Sequence, residues 1–346
     1  MACTSSSNGT CGSSIFIGFD ELMSSYSKPH LTYAQQLDLL VDRGMFVSNQ
    51  AKALNYLERI GYYRLSAYSY PFRKIISVQE NGITKNVRSD AFLEGAEFSL
   101  IANLYVFDKK LRLLTLDAIE RIEVALRVDI AYLLGKYDLY AHLNPKLLHG
   151  NFAKKNKNSS TAKTKHQEWL EKYQDAVKRS REEFVEHFRS KYDAKLPIWC
   201  AIELWDFGML SIFYSGMKVA DKNKIAAKYG FADFTLLESW LRTVNYVRNV
   251  AAHHSRLWNR DIVNEPKLPK LGLLPELNHL IPLKHAHARY YAVACLLRYL
   301  LKKINPSSSW HKRLEELLQS FPSNHVVDIK HMGFPADWHQ LPLWES

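Results

Sequence analysis

Apolar residues recur every three to four positions along most of the chain after residue 97, as they do on the buried face of an α-helix. The longest such run, "SLIANLYVFDKKLRLLTLDAIERIEVALRVDIAYLLGKY", predicts one long helix or two, with Gly135 near the stop. A charged helix is predicted in "QEWLEKYQDAVKRSREEFVEHFRSKY", and an apolar helix broken at Gly208 in "LPIWCAIELWDFGMLSIFYSGM". Three more helices are predicted over residues 219–230, 233–258 and 286–304. The predicted fold class is all-α.

The first hundred residues predict two further helices and one short β-hairpin. Thr32 is a suitable N-cap for the first helix, which Gly44 ends. Ser48 opens the second helix, and Gly61 interrupts it before an aromatic-rich remainder. Residues 75–97 contain β-branched residues and an Asn-Gly turn, which is the pattern of a hairpin.

These patterns divide the chain into four parts. Residues 149–166 are polar, basic and without periodicity, so this loop either contacts RNA or is a disordered insertion. We expect a weakly ordered leader over residues 1–25, an N-terminal helical module with the hairpin over 26–96, a helical core containing the basic loop over 97–305, and a C-terminal tail packed on the core over 306–346.

The charge balance is the first indication of function. The 346 residues carry a formal net charge of +11, and the isoelectric point is about 9.3. Such an excess favours a polyanionic partner, which could be RNA, DNA or an anionic membrane surface. The alternative is a solvated basic surface that serves solubility alone.

Cysteine usage and hydropathy indicate the cellular compartment. No two of the four cysteines are spaced as a CxxC pair, which argues against a disulfide framework or a cysteine zinc site. No basic flank precedes a long apolar run at the start, and no apolar stretch reaches the length of a membrane span. We therefore expect a cytoplasmic protein that does not enter a membrane.

The segment "YVRNVAAHHSRLWNR" combines helical spacing with an unusual set of polar side chains. At about 100° per residue, residues 241–257 of an ideal helix separate into two faces. The apolar face is made by Val244, Val247, Val250, Ala251 and Leu257, and the polar face by Asn245, Arg248, Asn249, Ala252, His253 and Arg256. Arg248 and His253 lie about 140° apart on this count, so they would converge on a substrate or a partner helix rather than on each other.

The polar face holds the side chains that RNA cleavage without a metal requires. Histidine can exchange protons near neutral pH, arginine can stabilise a phosphorane, and asparagine can orient the ribose or the phosphate. Arg248, Asn249 and His253 supply one of each. A polar helix face is also often only solvated or hydrogen-bonded. A metal site is disfavoured, because adjacent His253 and His254 point about 100° apart on a helix.

The sequence "RNVAAH" resembles the motif of HEPN-domain ribonucleases, in which an arginine is followed after four residues by a histidine. The longer block "LESWLRTVNYVRNVAAHHSRLWNR" resembles bacterial abortive-infection proteins of the AbiD/AbiF group. Blocks earlier in the chain, such as "ALNYLERIGYYRLSAYSYPFR" and "YVFDKKLRLLTLDAIERIEVALR", resemble that group in the same order. The resemblance covers roughly residues 28–260.

This resemblance implies a HEPN-type helical bundle, a role in phage defence or in a toxin–antitoxin system, and metal-independent RNA cleavage that needs no cofactor. It implies that Arg248 and His253 are the catalytic pair and that Asn249 is their polar neighbour. HEPN nucleases generally combine two such motifs, and this chain has one clear copy. A homodimer that brings two copies of the motif together is therefore expected. Members of the group are thought to work with a small structured RNA, which would be a second RNA partner.

Two sets of secondary candidates follow from position and charge. Supporting roles around the motif are expected for Asn245, His254, Arg256, Arg121 and Glu123. The alternative, which is the more usual role of such residues in an apolar helix, is that Arg121 and Glu123 belong to a buried ion-pair network. Contacts to RNA are expected from Lys154, Lys155 and Lys157 in the basic loop, from Arg64 and Arg73 in the aromatic segment, and from Arg260.

Overall fold

A computed structural model describes residues 29–80, 82–155, 163–192 and 195–345. Three short helices open the described chain: α1 (Tyr33–Asp42), α2 (Gln50–Ile60) and α3 (Tyr62–Ser69). Thr32 caps α1 as predicted, in a reciprocal capping box with Gln35. The cap of α2 is Asn49 rather than Ser48, because the Asn49 side chain accepts the backbone N–H of Lys52 at 2.9 Å. Ser48 instead donates to Glu97.

The predicted hairpin is present. Strand β1 (Arg73–Glu80) pairs antiparallel with β2 (Ile83–Phe92), and Ile76 lies opposite Val87. Gly82 in the turn has a φ of +75°, which favours glycine. Asn81, the other predicted turn residue, lies outside the described residues.

The long apolar run forms one continuous helix, α4 (Phe98–Gly135), of 38 residues. At 1.5 Å per residue this helix is about 57 Å long. The remaining helices surround or follow it: α5 (Gly150–Ala153), α6 (Lys165–Arg179), α7 (Glu183–Lys191), α8 (Ile198–Ala201), α9 (Phe207–Gly216), α10 (Val219–Lys228), α11 (Phe234–Ala252), α12 (Tyr290–Ile304) and α13 (Trp310–Gln319). The all-α prediction is confirmed, with one two-stranded sheet among the described residues.

Several predicted helix boundaries are wrong. The charged segment forms two helices, α6 and α7, rather than one. The chain turns between them at Ser180, whose carbonyl accepts a hydrogen bond from the Arg189 side chain of α7. The apolar segment breaks at Asp206 rather than at Gly208, since the Asp206 carboxylate caps α9 by accepting the N–H of Met209 at 2.7 Å. Helix α12 begins at Tyr290, four residues later than predicted.

Helix α4 lies at the centre of the core and contacts α3, α9, α11, α12 and α13. Every residue of α12 from Tyr290 to Leu301 is buried. The C-terminal tryptophans are also buried, and the indole of Trp310 donates to the carbonyl of Leu114 in α4. Within the described ranges, no helix combines the length and the apolar character needed to cross a bilayer.

Candidate functional site

Helix α11 ends at Ala252, six residues before the predicted end. The N–H of His254 donates to the carbonyl of Ala251, and the N–H of Ser255 to that of Val250. This pair of bonds is the Schellman ending, which usually has glycine in the left-handed position. Here His254 occupies it, with a φ of +57°, at a cost of about 1 kcal/mol. His253, at the C-cap, and His254 are therefore both presented at the helix end.

The chain leaves the α11 axis because the residues that follow the helix donate their backbone N–H groups to a buried carboxylate on α4. Asp108 is fully buried and accepts the backbone N–H of Trp258 at 2.7 Å and that of Leu257 at 3.2 Å. It also accepts the hydroxyl of Tyr68 at 2.7 Å and Nη1 of Arg112 at 2.5 Å. Burial raises the pKa of Asp108, and Arg112 and the hydrogen bonds oppose that rise. The four surrounding donors match an ionised carboxylate.

The two predicted faces of α11 are kept up to this helix end. The predicted apolar residues are all buried, although Leu257 lies beyond the helix. Asn249 and His253 are exposed, and Asn245 and Arg248 are partly buried. Arg256 departs from the predicted polar face, since its Nη1 donates to the carbonyl of Ala67 after the chain turns. Burial lowers the pKa of the Arg256 guanidinium.

A groove of about 820 Å³ separates the end of α11 from α3. We call it the His253 groove; its lining includes His253, His254, Arg64, Arg73, Arg256 and Arg260. Four of the fourteen lining residues are arginines and none is acidic, so the groove is suited to a polyanion. The fold thus brings three of the predicted RNA-binding residues, Arg64, Arg73 and Arg260, beside the predicted catalytic histidine.

The arginines of the His253 groove are held by specific acceptors. Arg64 donates to the carbonyl of His254 at 2.8 Å, and Arg260 to the hydroxyl of Tyr246 at 2.8 Å. Arg73 pairs with Asp90 at 3.0 Å. These bonds fix the guanidinium groups at the groove wall and leave further N–H donors for a ligand.

The aromatic residues of the α3 segment have two different roles. Tyr68 and Phe72 are buried in the core. Tyr63 also lines the His253 groove, and 91% of it is exposed. Tyr70 is half exposed, with the guanidinium of Arg88 5.3 Å from its ring centroid. The exposed rings can stack on unpaired bases, whereas the buried ones pack in the core, where the Tyr68 hydroxyl also donates to Asp108.

Arg248 faces a second polar cluster, on the side of α4 and α9. Glu123 of α4 accepts Nη2 of Arg127 at 2.5 Å, and that nitrogen also donates to the carbonyl of Trp205 at 2.7 Å. Burial raises the pKa of Glu123, while the guanidinium groups of Arg127 and Arg248 lower it. Arg248 therefore lies close enough to Glu123 to interact with its charge. A longer contact of 3.5 Å joins Arg248 to the Asn249 side chain.

Asn245 lies where α11 approaches the start of α9. A Cβ atom at Gly208 would lie 3.5 Å from Oδ1 of Asn245 and 3.1 Å from Oδ1 of Asp206. The glycine therefore allows α9 to approach the motif helix closely. Arg248 and His253 diverge within one chain, as the helical count predicted, with Arg248 towards Glu123 and His253 towards the His253 groove.

Three predicted residues, Arg121, Lys154 and Lys155, are not brought to this site. Arg121 projects from α4 away from Glu123, where it pairs with Asp117 at 3.0 Å and donates to Ser308. Lys154 and Lys155 are exposed at the start of the basic loop and do not line the His253 groove. Lys157 lies outside the described residues.

Asp108, Arg112 and the hydroxyl of Tyr68 are not among the site residues predicted from the sequence. The available signal was the spacing of Asp108 and Arg112, opposite charges four residues apart among apolar positions of α4. Their role in ending α11 could not be inferred, since Trp258 is 150 residues away in sequence. Among the described residues, no group of three or more His, Cys, Asp or Glu side chains is placed to hold a metal ion.

The fold and the site together define a helical protein with an exposed histidine at a helix end, beside an arginine-lined groove. The chain belongs to the family of Abi-like proteins, whose model matches residues 55–259, more than half of its length. The predicted resemblance to abortive-infection proteins is confirmed at the level of this family, which connects the chain with phage defence. No curated protein and no solved structure matches the chain.

Proposed function

We propose that this protein is a metal-independent endoribonuclease of a bacterial phage-defence or toxin–antitoxin system. The observation that carries the proposal is the position of His253. It is exposed at the end of α11, on a groove lined by four arginines, and Arg248 and Asn249 occupy the preceding turn. The HEPN-like spacing of these three residues supports the same chemistry.

The proposed reaction is an internal transesterification. The ribose 2′-hydroxyl loses its proton to a general base, and its oxygen attacks the adjacent phosphorus. The bond to the 5′-oxygen breaks, and a general acid protonates that oxygen. The products are a 2′,3′-cyclic phosphate and a 5′-hydroxyl, and no water is consumed. His253 serves as the acid or the base, Arg248 stabilises the phosphorane, and Asn249 orients the substrate.

A second copy of the chain is proposed to supply the other half of the site. The transesterification needs both a proton acceptor and a proton donor, and one chain offers one HEPN-like motif. Arg248 and His253 of one chain also diverge, which suits a substrate held between two copies. The arginines of the His253 groove would bind the substrate, and the same positive charge suits a small structured RNA as a further partner.

The test is a cleavage assay on RNA with EDTA present. The parent is expected to cleave, and His253→Ala to lose about 100-fold or more of the rate. His285→Ala is the matched control, because His285 is also exposed but lies outside the His253 groove. Full activity of His253→Ala, or cleavage only with a divalent metal, would contradict the mechanism.

The same assay tests whether two copies share one site. Arg248→Ala and His253→Ala are each expected to be inactive alone and to recover part of the activity when mixed. If mixing restores nothing while the parent is active, each chain carries its own site. Tight RNA binding by a parent that never cleaves would instead favour a non-catalytic, regulatory RNA-binding protein that uses the motif as a ligand pocket.

A further inference from the structure

A pocket between α6, α7 and the segment before α8 lies apart from the candidate site. Its volume is about 450 Å³, and its lining shares no residue with that of the His253 groove. We call it the α6–α7 pocket; four cations line it, Lys178, Arg181, Arg189 and Lys195, together with apolar side chains. Concave pockets of this volume are typical of sites for small molecules.

The charges around the α6–α7 pocket are segregated by sign. Residues 171–191, which form most of its walls, contain six basic and five acidic residues. None of the nine lining residues is acidic, whereas four are basic. A cleft lined by one sign of charge and by apolar walls focuses the electrostatic potential and attracts ions of the opposite sign. The arrangement therefore favours an anionic ligand.

Arg189 fixes the two helices that form the pocket walls. Its Nη2 donates to the carbonyl of Val177 at 2.5 Å, and its Nη1 donates to the carbonyl of Ser180 at 3.3 Å. The same side chain pairs with Glu186. These bonds satisfy carbonyl groups at the C-terminal end of α6, which have no partner within the helix. Arg189 is therefore mainly structural.

The other three cations of the pocket are available to a ligand. Lys178, Arg181 and Lys195 are exposed, and among the described residues none of them has a carboxylate oxygen within 4 Å. A nucleoside diphosphate carries about three negative charges near pH 7. Three unpaired cations match this charge, and each can form a charge-assisted hydrogen bond with a phosphate oxygen.

The remaining lining suits the base of a nucleotide. Its apolar part consists of one aromatic and three aliphatic side chains, which are Tyr173, Leu143, Val177 and Leu196. The ring of Tyr173 is held by stacking on Trp169, with ring centroids 5.8 Å apart. Gln174 adds an amide that can both donate to and accept from the edge of a base. Inorganic phosphate would use only the cations, whereas a nucleotide uses the whole pocket.

We propose that the α6–α7 pocket binds a nucleoside di- or triphosphate, with its phosphates on Lys178, Arg181 and Lys195 and its base against the apolar side chains. Because no lining residue is a carboxylate that could hold Mg²⁺, the nucleotide binds without this ion. The pocket is separate from the nuclease site proposed above. A binding assay can therefore fail while the cleavage assays succeed, and the reverse.

Isothermal titration calorimetry of the full chain with ADP tests the site, in EDTA and at about 0.15 M salt. We expect one ADP per chain, and Arg181→Gln and Lys195→Gln should each weaken binding about tenfold or more, because each removes a charged hydrogen-bond donor. Lys172→Gln is the matched control, since Lys172 is exposed on α6 but does not line the pocket. A parent that does not bind ADP, or an equal loss in Lys172→Gln, would overturn the proposal.

Two comparisons identify what is bound and where. Pyrophosphate is expected to bind about tenfold or more weakly than ADP, because it buries no apolar surface. Equal affinity for pyrophosphate and ADP would contradict a nucleotide site. The arginines of the His253 groove could also attract ADP. A loss of ADP binding in Arg64→Gln, with none in Arg181→Gln, would place the nucleotide in that groove and overturn the proposal.

The 5′ end of an RNA transcript carries the same triphosphate group, and competition distinguishes this source from a free nucleotide. The competitors are an RNA with a 5′-triphosphate and the same RNA with a 5′-hydroxyl, added to the His253→Ala variant with ADP bound. Displacement by the triphosphate RNA alone would identify the transcript end as the ligand, and displacement by neither would identify the free nucleotide. Equal displacement by both would mean that the pocket binds the RNA backbone, which would contradict the proposal.

Discussion

Glu123 shows how a single side chain can hold Arg248 in place for the proposed reaction. Burial raises the pKa of this carboxyl group, so its ionised form is costly there unless cations lie nearby. Arg127 donates to it directly, and Arg248 on the facing helix also lowers its pKa. Arg127 is itself fixed by the carbonyl of Trp205. We therefore propose Glu123 as a positioning residue that attracts the Arg248 guanidinium from a fixed place on α4.

Glu123→Gln tests this role. Glutamine keeps the size and the acceptor oxygen for Arg127 but removes the charge that attracts Arg248. If the charge is worth about 1 kcal/mol to the transition state, kcat falls about fivefold. We expect KM and the melting temperature to change little, because the neutral amide avoids the desolvation of a carboxylate. Glu58→Gln, at an exposed position, is the control. A rise in KM with kcat unchanged would contradict a positioning role.

At the scale of elements, α4 determines where α11 ends. Asp108 gathers the hydroxyl of Tyr68 on α3 and the N–H groups of Leu257 and Trp258 into one buried network with Arg112. This network turns the chain off the α11 axis and places His253 and His254 on the groove formed with α3. The His253 groove therefore depends on contacts between three elements that are distant in sequence.

Asp108→Asn tests the network. The NH2 group of asparagine can only donate, so it would face N–H or O–H groups that the Asp108 carboxylate now accepts. Arg112 would also remain buried without its counter-charge. We expect a loss of about 3 kcal/mol in the free energy of unfolding, measured by urea denaturation. Tyr68→Phe removes the hydroxyl that donates to Asp108 and accepts from Arg112, and should cost about 2 kcal/mol. Asp38→Asn, an exposed aspartate on α1, serves as the control. An Asp108→Asn variant as stable as Asp38→Asn would show that the carboxylate does not hold the segment.

These elements also show what could be predicted from the sequence. Hydrophobic periodicity predicts α4 and the buried face of α11 because local spacing determines which residues face the core. Hydrophobic periodicity cannot predict the end of α11, because that end depends on Asp108 of another helix. The prediction that Arg256 lies on the polar face of α11 is wrong for this reason. Helical spacing predicts that Arg248, Asn249 and His253 share the polar face, and the resemblance to HEPN ribonucleases supplies the roles proposed for them. Their surroundings, Glu123 on one side and the His253 groove on the other, required the tertiary fold.

At the scale of the whole molecule, the basic charge and the arginines of the candidate site fit one account. A chain with a net charge of +11 presents four arginines on the His253 groove, where they can bind phosphates. Membership of the Abi-like family connects the chain with phage defence. The central claim is that the protein cleaves RNA by transesterification through Arg248, Asn249 and His253.

The most direct measurement is the chemical identity of the ends that the purified parent produces from a labelled RNA in EDTA. Attack by the 2′-hydroxyl predicts a 2′,3′-cyclic phosphate on one fragment and a 5′-hydroxyl on the other, with both absent for His253→Ala. Fragments with a 3′-hydroxyl and a 5′-phosphate would mean attack by water instead, and would contradict the account.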